Sequence, residues 1–375
     1  MVRPTLVVFL GGLGGSPVEE MVGGARRAAT LDSIDAALAS GGVDGAVLVT
    51  DDPTCRVDAP GVTVHLDDGP FHFGRRLADV LRRYSPQAVV YLGGGSLPLF
   101  APAGFAAVAS ALEGDGVLVT NNVFSSDLVG FPVTEAALAV IERSDSDNSL
   151  ARALAEGADL RINALPRTLA SQFDIDGPTD LAVLALTGLG GPRLRLYLEA
   201  LELEVEPYRR VLSLFVDPKA QVVVAGRVGS HAWQYLERET ACRVRLFAEE
   251  RGMQADGRAE AGMARSLMGF YLEAVGVQRF FASLAELGDA AFIDTRVLLA
   301  HLRLDACRAD RFLSDMRRWR EVREPLLREF TRGAAEAPLP VLLGGHSLVC
   351  GGLMALNEFA WQEHERAAPF QDGAG

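Results

Sequence analysis

The sequence predicts an α/β protein, a three-layer αβα domain followed by a mostly helical domain that holds one small βαβ unit. Three observations predict it. In the first half, short apolar runs of strand length alternate with stretches of helical periodicity, the pattern of a sheet covered by helices. From about Leu194 the helical runs lengthen and strand candidates become rare. Between the two regimes, residues 187–193 read Thr-Gly-Leu-Gly-Gly-Pro-Arg, the turn-forming composition of a boundary. A chain of 375 residues is longer than one typical domain, in line with two.

In chain order, the first domain (1–188) offers apolar strand candidates at Leu6–Leu10, Ala46–Thr50, Val62–Leu66, Ala88–Leu92, Val117–Thr120 and Asp127–Phe131. Interleaved with them, Leu31–Ala39, Gly74–Tyr84, Gly104–Leu112, Thr134–Glu142 and Ser149–Glu156 carry helical periodicity. The second domain (194–366) has strand candidates at Gln221–Ala225 and Arg243–Phe247 flanking a helix from His231, and a short apolar strand at Val341–Leu343. Its long helical runs are Ala261–Leu287, Thr295–Leu302, Asp310–Arg320 and Leu348–His364, and residues 367–375 read as a frayed tail.

Composition bounds the partners. The formal net charge is −13, and residues 1–186 hold 12 Arg and no Lys against 23 Asp or Glu, a net of −11. Such a surface does not attract nucleic acid. The longest uncharged stretch, Tyr84–Leu112, is broken by Gly93-Gly94-Gly95, Pro98, Pro102 and Gly104, so no apolar span crosses a bilayer and no membrane partner is expected. Cys55, Cys242, Cys307 and Cys350 lie far apart without paired spacing and read as reduced thiols, and nothing resembles a signal peptide; a cytoplasmic monomer or homodimer is the expectation.

Three clusters carry candidate chemistry in the first domain. Asp174-Ile-Asp176-Gly-Pro-Thr-Asp180-Leu181 places two carboxylates at strand spacing, on one face, where they can hold a hard cation; Pro178 then suits a helix start with Asp180 in its first turn. Gly11-Gly12-Leu13-Gly14-Gly15-Ser16 follows the first strand, at a strand carboxyl end where open α/β sheets bind ligands and glycine lets backbone N–H groups approach phosphates. Two further strands end in polar loops, one holding Gly94, Gly95 and Ser96, the other Asn121, Asn122, Ser125 and Asp127. Their oxygens suit a cation and their donors a substrate hydroxyl or base edge, while Asx and Ser turns account for the same residues.

The order of these parts resembles the nucleotidyltransferases with a glycosyltransferase-A-like (nucleotide-diphospho-sugar transferase) fold, of the molybdenum-cofactor guanylyltransferase and phospholactate guanylyltransferase type. The resemblance covers residues 5–186, and only Asp174–Leu181 is specific to it. It implies that the Gly11–Ser16 loop cradles a nucleoside triphosphate and that Asp174 and Asp176 stand on the side of a Mg²⁺ ion. It also implies a small phosphate or hydroxyl acceptor. The sequence departs from the family pattern twice. No Lys follows the first loop, leaving Arg26 or Arg27 to take its place, and the middle-strand Asp-x-Pro is replaced by Gly94-Gly95-Ser96-Leu97-Pro98, so the Asn121–Asp127 cluster supplies the candidate catalytic residues Asn121, Asn122 and Asp127. The alternatives are a glycosyltransferase using a nucleotide sugar and a catalytically degenerate ligand-binding module.

The second domain has its own candidates. Gly226-Arg227-Val228-Gly229-Ser230-His231 follows a strand and opens a helix, a geometry in which backbone donors and Arg227 can bind an anion. Arg243, Arg245, Glu249, Glu250 and Arg251 form a dense charge group that solvated pairs explain equally well. His346, in Gly344-Gly345-His346-Ser347, reads as an acid–base group or a helix cap.

Overall fold

The computed structural model of the protein describes residues 3–12, 14–67 and 69–367. It falls into two compact units, Met1–Ile175 with Gly190–Tyr197, and Asp176–Leu189 with Leu198–Gly375. The frayed tail expected from residue 367 lies, from 368 on, outside the described residues.

The first unit runs β1 (Thr5–Leu10), α1 (Pro17–Ala39), β2 (Gly45–Thr50), β3 (Val62–Leu66), α2 (Phe73–Tyr84), β4 (Ala88–Gly93), α3 (Pro102–Ala111), β5 (Val117–Thr120), β6 (Leu128–Pro132), α4 (Glu135–Ile141), α5 (Leu150–Gly157), β7 (Arg161–Ala164) and α6 (Leu169–Gln172). Its seven strands are ordered β3-β2-β1-β4-β6-β5-β7. β1 pairs in parallel with β2 and β4, and β6 alone runs antiparallel to its neighbours. Alternation across the strands sorts the core into two layers. Val7, Val49 and Tyr91 pack with Phe73 and Leu77 of α2 and Ile141 of α4, whereas Leu6, Val8 and Leu92 pack with Ile34 of α1 and Phe105 of α3. The three-layer αβα architecture read from the sequence is therefore present. β7 escapes the sequence reading because Arg-Ile-Asn-Ala is an edge strand of only four residues, too short for its alternation to register, and is exposed at every position.

The segment Gly190–Tyr197 returns to this unit and is held there by Asp32, which is 8% exposed. The Asp32 carboxylate accepts the N–H groups of Arg193 (3.1 Å) and Leu194 (2.9 Å), capping the start of α8 (Pro192–Glu199) from a distant helix. Arg193 also pairs with Asp35, and the Tyr197 hydroxyl donates to the Met21 carbonyl at 3.0 Å.

The second unit comprises α7 (Pro178–Thr187), α9 (Glu206–Phe215), β8 (Gln221–Gly226), α10 (Ser230–Glu239), β9 (Arg243–Ala248), α11 (Leu267–Leu287), β10 (Ala290–Asp294), α12 (Thr295–Leu302), α13 (Arg308–Asp315), α14 (Pro325–Ala335), β11 (Val341–Gly344) and α15 (Leu353–Ala367). Its strands form a parallel sheet ordered β11-β10-β8-β9, larger than the single βαβ unit the sequence suggests. β10 is the missing piece: Ala-Ala-Phe-Ile-Asp is buried throughout, and a short apolar run without alternation does not distinguish a strand from a helix. One face of the sheet meets Phe280 and Phe281 of α11 and Phe330 of α14. On the other, Phe292 packs against Phe215 of α9, with ring centroids 5.8 Å apart.

The unit boundary also differs from the expected 188/194 division. Helix α7 belongs with the second sheet because eight of its ten residues are buried, and the Thr179 hydroxyl donates to the Leu343 carbonyl at the end of β11 (2.6 Å). The chain therefore leaves the first unit after Ile175, returns at Gly190 and leaves again after Tyr197.

Candidate ligand site of the first unit

In an open α/β sheet, the crevice where neighbouring strands send their connections in opposite directions is the usual ligand position. Here β1 leads to β2 on one side while its other neighbour, β4, follows from β3, so the crevice opens at Gly11 and Gly94. A cavity of about 420 Å³ occupies this place, floored by Gly11, Gly12, Gly93 and Gly94. Gly94 is held against backbone and Gly11 against the exposed Asp51 carboxylate, so a Cβ is excluded at the first and would force Asp51 to shift at the second. A Cβ on Gly11 would lie 2.6 Å from Asp51 Oδ1, and one on Gly94 would lie 2.6 Å from the Phe9 carbonyl oxygen.

The cavity walls divide into aromatic and acidic parts. Phe9, Phe71 and Tyr91 contribute rings, with Phe9 edge-on to Tyr91 at 5.5 Å. Asp51, Asp67, Asp145 and Asp147 contribute carboxylates, and Arg26 contributes a cation. Asp67 is already paired with Arg76. Arg26 is fixed by its Nε–H donating to the Gly94 carbonyl (2.8 Å) and by the close passage of Gly95, where a Cβ would meet Arg26 Cγ at 2.6 Å.

Asp147 is joined to the aromatic wall through Tyr91. Burial pushes its carboxyl above the ordinary 3.8, opposed by the Tyr91 hydroxyl, which donates to Asp147 Oδ2 at 3.0 Å, and by Arg26. Burial and the adjacent carboxylate in turn raise the Tyr91 phenol well above 10, so Tyr91 acts as a donor. A carboxyl whose folded pKa is raised stabilises the fold fully below its unfolded pKa, and that contribution is lost as pH rises through the folded value. Asp147→Asn is therefore expected to raise the Tm at neutral pH, to remove this part of the pH dependence, and to weaken ligands held in the cavity. A lower Tm together with unchanged ligand affinity would count against Asp147 as a wall of the site.

The sequence-predicted residues separate clearly. Gly11, Gly12, Gly94 and Arg26 come together at the cavity, while Gly14, Gly15, Ser16, Arg27, Gly95 and Ser96 lie outside its lining. Several donors expected to cradle phosphate are committed within the protein: Gly12 N–H to Asp51 Oδ2 (3.2 Å), Gly94 N–H to the Phe9 carbonyl (2.7 Å) and Gly95 N–H to Thr30 Oγ1 (3.1 Å). Ser16 caps α1 by accepting from Glu19 N–H, and Glu19 and Glu20 fill the first helical turn, which opposes an anion there. Arg27 pairs with Asp52 at 2.9 Å.

The expected catalytic cluster holds its own loop together. The Asn121 carbonyl oxygen accepts from Asp127 and Leu128 N–H (both 3.1 Å), and its amide donates to Asp127 Oδ2 (2.9 Å) and the Ser171 carbonyl (3.3 Å). Asn121 is 3% exposed, with both its amide nitrogen and its carbonyl oxygen engaged within the protein. Asn122 Oδ1 accepts from Phe124 N–H in an Asx turn, and Ser125 donates to Asn148 Oδ1.

Asp174 and Asp176 were expected to share one face of a strand and hold Mg²⁺. The extended pairing is a single bridge, Ser96 to Asp174, and one Asp174 oxygen accepts from Leu97 N–H at 3.1 Å. Asp174 belongs to the first unit and Asp176 to the second. Among the described residues no three His, Cys, Asp or Glu side chains gather in a metal-holding group. The described donor set of the first unit does not by itself fit a metal centre.

The residues missed in the sequence are Asp51, Asp147, Phe71 and Tyr91. Asp51 was visible in principle, since Asp51-Asp52 directly follows the strand ending at Thr50, the same signal that marked the other polar loops.

No family model matches the chain, and no curated protein matches it. Among solved structures it is similar to a protein of Desulfovibrio desulfuricans G20 assigned as a nucleotide-diphospho-sugar transferase, at 16% identity over 53% of this chain and 95% of that one, TM-score 0.41. It is similar to the bifunctional IspDF of Campylobacter jejuni at 10% identity, covering 66% and 93% of the two chains, TM-score 0.34. A CMP:2-keto-3-deoxy-manno-octonic acid synthetase complexed with CTP matches at 12% identity over 44% and 89%, TM-score 0.29. At these scores the likenesses carry no argument about chemistry, which rests on the site's own residues. No helix among the described residues is long and apolar enough to cross a membrane.

Proposed function

We propose that the first unit binds a nucleotide in the cavity between β1 and β4 and transfers a group from it, as a nucleotidyltransferase acting on a nucleoside triphosphate and a small phosphate or hydroxyl acceptor. The observation that supports this reading is the position of the cavity, at the switch point of the sheet, floored by glycine backbone and walled by aromatic rings and carboxylates. The rings offer stacking to a base, the carboxylates accept from base or sugar N–H and O–H groups, and Arg26 supplies positive charge for phosphate. In the reaction, the acceptor oxygen bonds to the α-phosphorus as the bond to pyrophosphate breaks, and the acceptor proton passes to solvent. Positioning and electrostatics carry such transfers, so few catalytic side chains are needed.

A second reading is a glycosyltransferase using a nucleotide sugar. It is favoured by the excess of carboxylates over cations in the cavity, which suits sugar hydroxyls and a shorter phosphate chain. Calorimetric titration with each nucleoside triphosphate and with nucleotide sugars, with and without Mg²⁺, separates the two. Triphosphate binding weakened about tenfold or more by Arg26→Ala, a loss typical of one charge-assisted contact, supports nucleotidyl transfer. Binding restricted to nucleotide sugars supports the second reading, and binding of neither removes both. Asp174→Asn and Asp176→Asn in the same titrations test the Mg²⁺ expectation, since loss of a Mg²⁺-dependent increment in both variants is the result that pair requires.

A further inference from the structure

The switch-point cavity of the first unit carries a charge imbalance that a nucleotide, itself an anion, does not answer. Among the described residues, Asp51, Asp67, Asp145 and Asp147 line it against the guanidinium of Arg26. Asp67 is answered from outside the lining, through its pair with Arg76. Asp147 receives the Tyr91 hydroxyl at 3.0 Å, a neutral donor. Asp51 and Asp145 are exposed: Asp51 Oδ2 accepts the Gly12 N–H at 3.2 Å, and Asp145 faces the His72 imidazole at 3.5 Å, a partner charged only when protonated. Carboxylates therefore outnumber guanidiniums in and around a pocket with apolar walls, where charge is screened less than at an open surface.

The same walls carry aromatic rings. Phe71 is 65% exposed and meets Phe9 edge to face, with centroids 6.2 Å apart, so most of its surface stays open. Rings beside carboxylates are the setting that binds organic ammonium groups: a ring face attracts the cation, and the carboxylate accepts its N–H donors. Neutral donors, such as a sugar hydroxyl or a base amino group, satisfy oxygen lone pairs and leave the charge. A hard divalent cation needs several oxygens gathered at bonding distance, and no three acidic, His or Cys side chains gather so among the described residues. An ammonium needs no such fixed geometry, because its donors rotate on a flexible stem.

We propose that this cavity binds a small molecule bearing an ammonium group, with Asp51 and Asp145 supplying counter-charge, Phe71 a ring wall, and Arg26 a partner for phosphate. On the transferase reading above, on which this role rests, that molecule is the acceptor. It is then an amino alcohol or its phosphate, whose oxygen attacks while the ammonium takes no part in bond making or breaking.

The test is calorimetric titration of the full chain with ethanolamine phosphate and with glycerol phosphate, a monoester lacking the ammonium, at matched ionic strength. Ethanolamine phosphate is expected to bind about tenfold more tightly, the gain from one charge-assisted contact. Asp51→Asn keeps the side chain's shape and an oxygen for Gly12; it is expected to leave the ligand-free Tm unchanged and to remove most of the preference. Phe71→Leu keeps apolar bulk without the ring and is expected to reduce the preference about threefold. Arg26→Ala is expected to weaken both monoesters alike. Equal affinity for the two monoesters would overturn the proposal, as would absence of saturable binding or a preference unchanged in both Asp51→Asn and Phe71→Leu. Failure of the transferase reading gives a different result: the preference without binding of any nucleoside triphosphate or nucleotide sugar keeps the ammonium site and removes the acceptor role. Nucleotide binding without the preference removes the ammonium site alone.

Discussion

Asp315→Ala is expected to cost the second unit about 3–5 kcal/mol of stability, the range for removing one partner of a buried ion pair. Asp315 is 3% exposed and receives Arg296 in a fork, Nη1 to Oδ1 and Nη2 to Oδ2, both at 2.6 Å. Burial works against the charge on Arg296, but Asp315 more than offsets it and holds the guanidinium in its charged form. The same guanidinium donates to Thr295 Oγ1 at 2.8 Å and to the Gly344 carbonyl at 3.3 Å, tying the end of β11 to the start of α12. Without Asp315 a largely buried cation remains uncompensated. Urea midpoints for the full chain measure the loss, and a loss below about 1 kcal/mol would mean that the pair is screened like a surface bridge. The double variant Arg296→Met/Asp315→Leu is expected to recover most of the stability, because removing both charges removes the desolvation cost with them.

Gly226→Ala is expected to cost at least about 3 kcal/mol, from two sources that add. Gly226 has φ +131°, a conformation that residues with a Cβ rarely adopt. The added Cβ would also lie 2.3 Å from the Cβ of Asp294, a buried residue that cannot swing away without breaking its pair with Arg227. Gly262→Ala is the control: its φ is +62°, and its nearest neighbour is the Arg303 side chain at 3.4 Å, so a cost of about 1 kcal/mol is expected. Equal losses at the two positions would show that backbone strain alone decides, and that the contact with Asp294 is relieved at little cost.

Much of the fold was legible because its strands are apolar and its helices periodic. β2, β4 and β5 are buried nearly end to end, and their sequence limits fall within a residue of the structural ones. The edge strand β7 and the buried strand β10 were not, the first because it is four residues long and exposed throughout and the second because it lacks polar residues to set a period. The candidate site was half legible. Glycines after strands point to close backbone approach, and Gly11, Gly12 and Gly94 are found there. What residue type cannot tell is which polar groups are already committed: Asn121 reads as chemistry and serves the loop, whereas Asp147, placed in a stretch without strand or helix, reads as a loop and lines the cavity.

The excursion of the chain through α7 before Gly190–Tyr197 returns has a consequence for biosynthesis. On the ribosome, the seven strands of the first unit emerge before its closing segment does, and the intervening helix α7, apolar nearly all round, emerges before the sheet that buries it. Domains generally complete folding as units from the N-terminus. Here the nascent first unit waits for residue 197 with the Asp32 carboxylate uncovered, while α7 stays exposed until β11 has been synthesised.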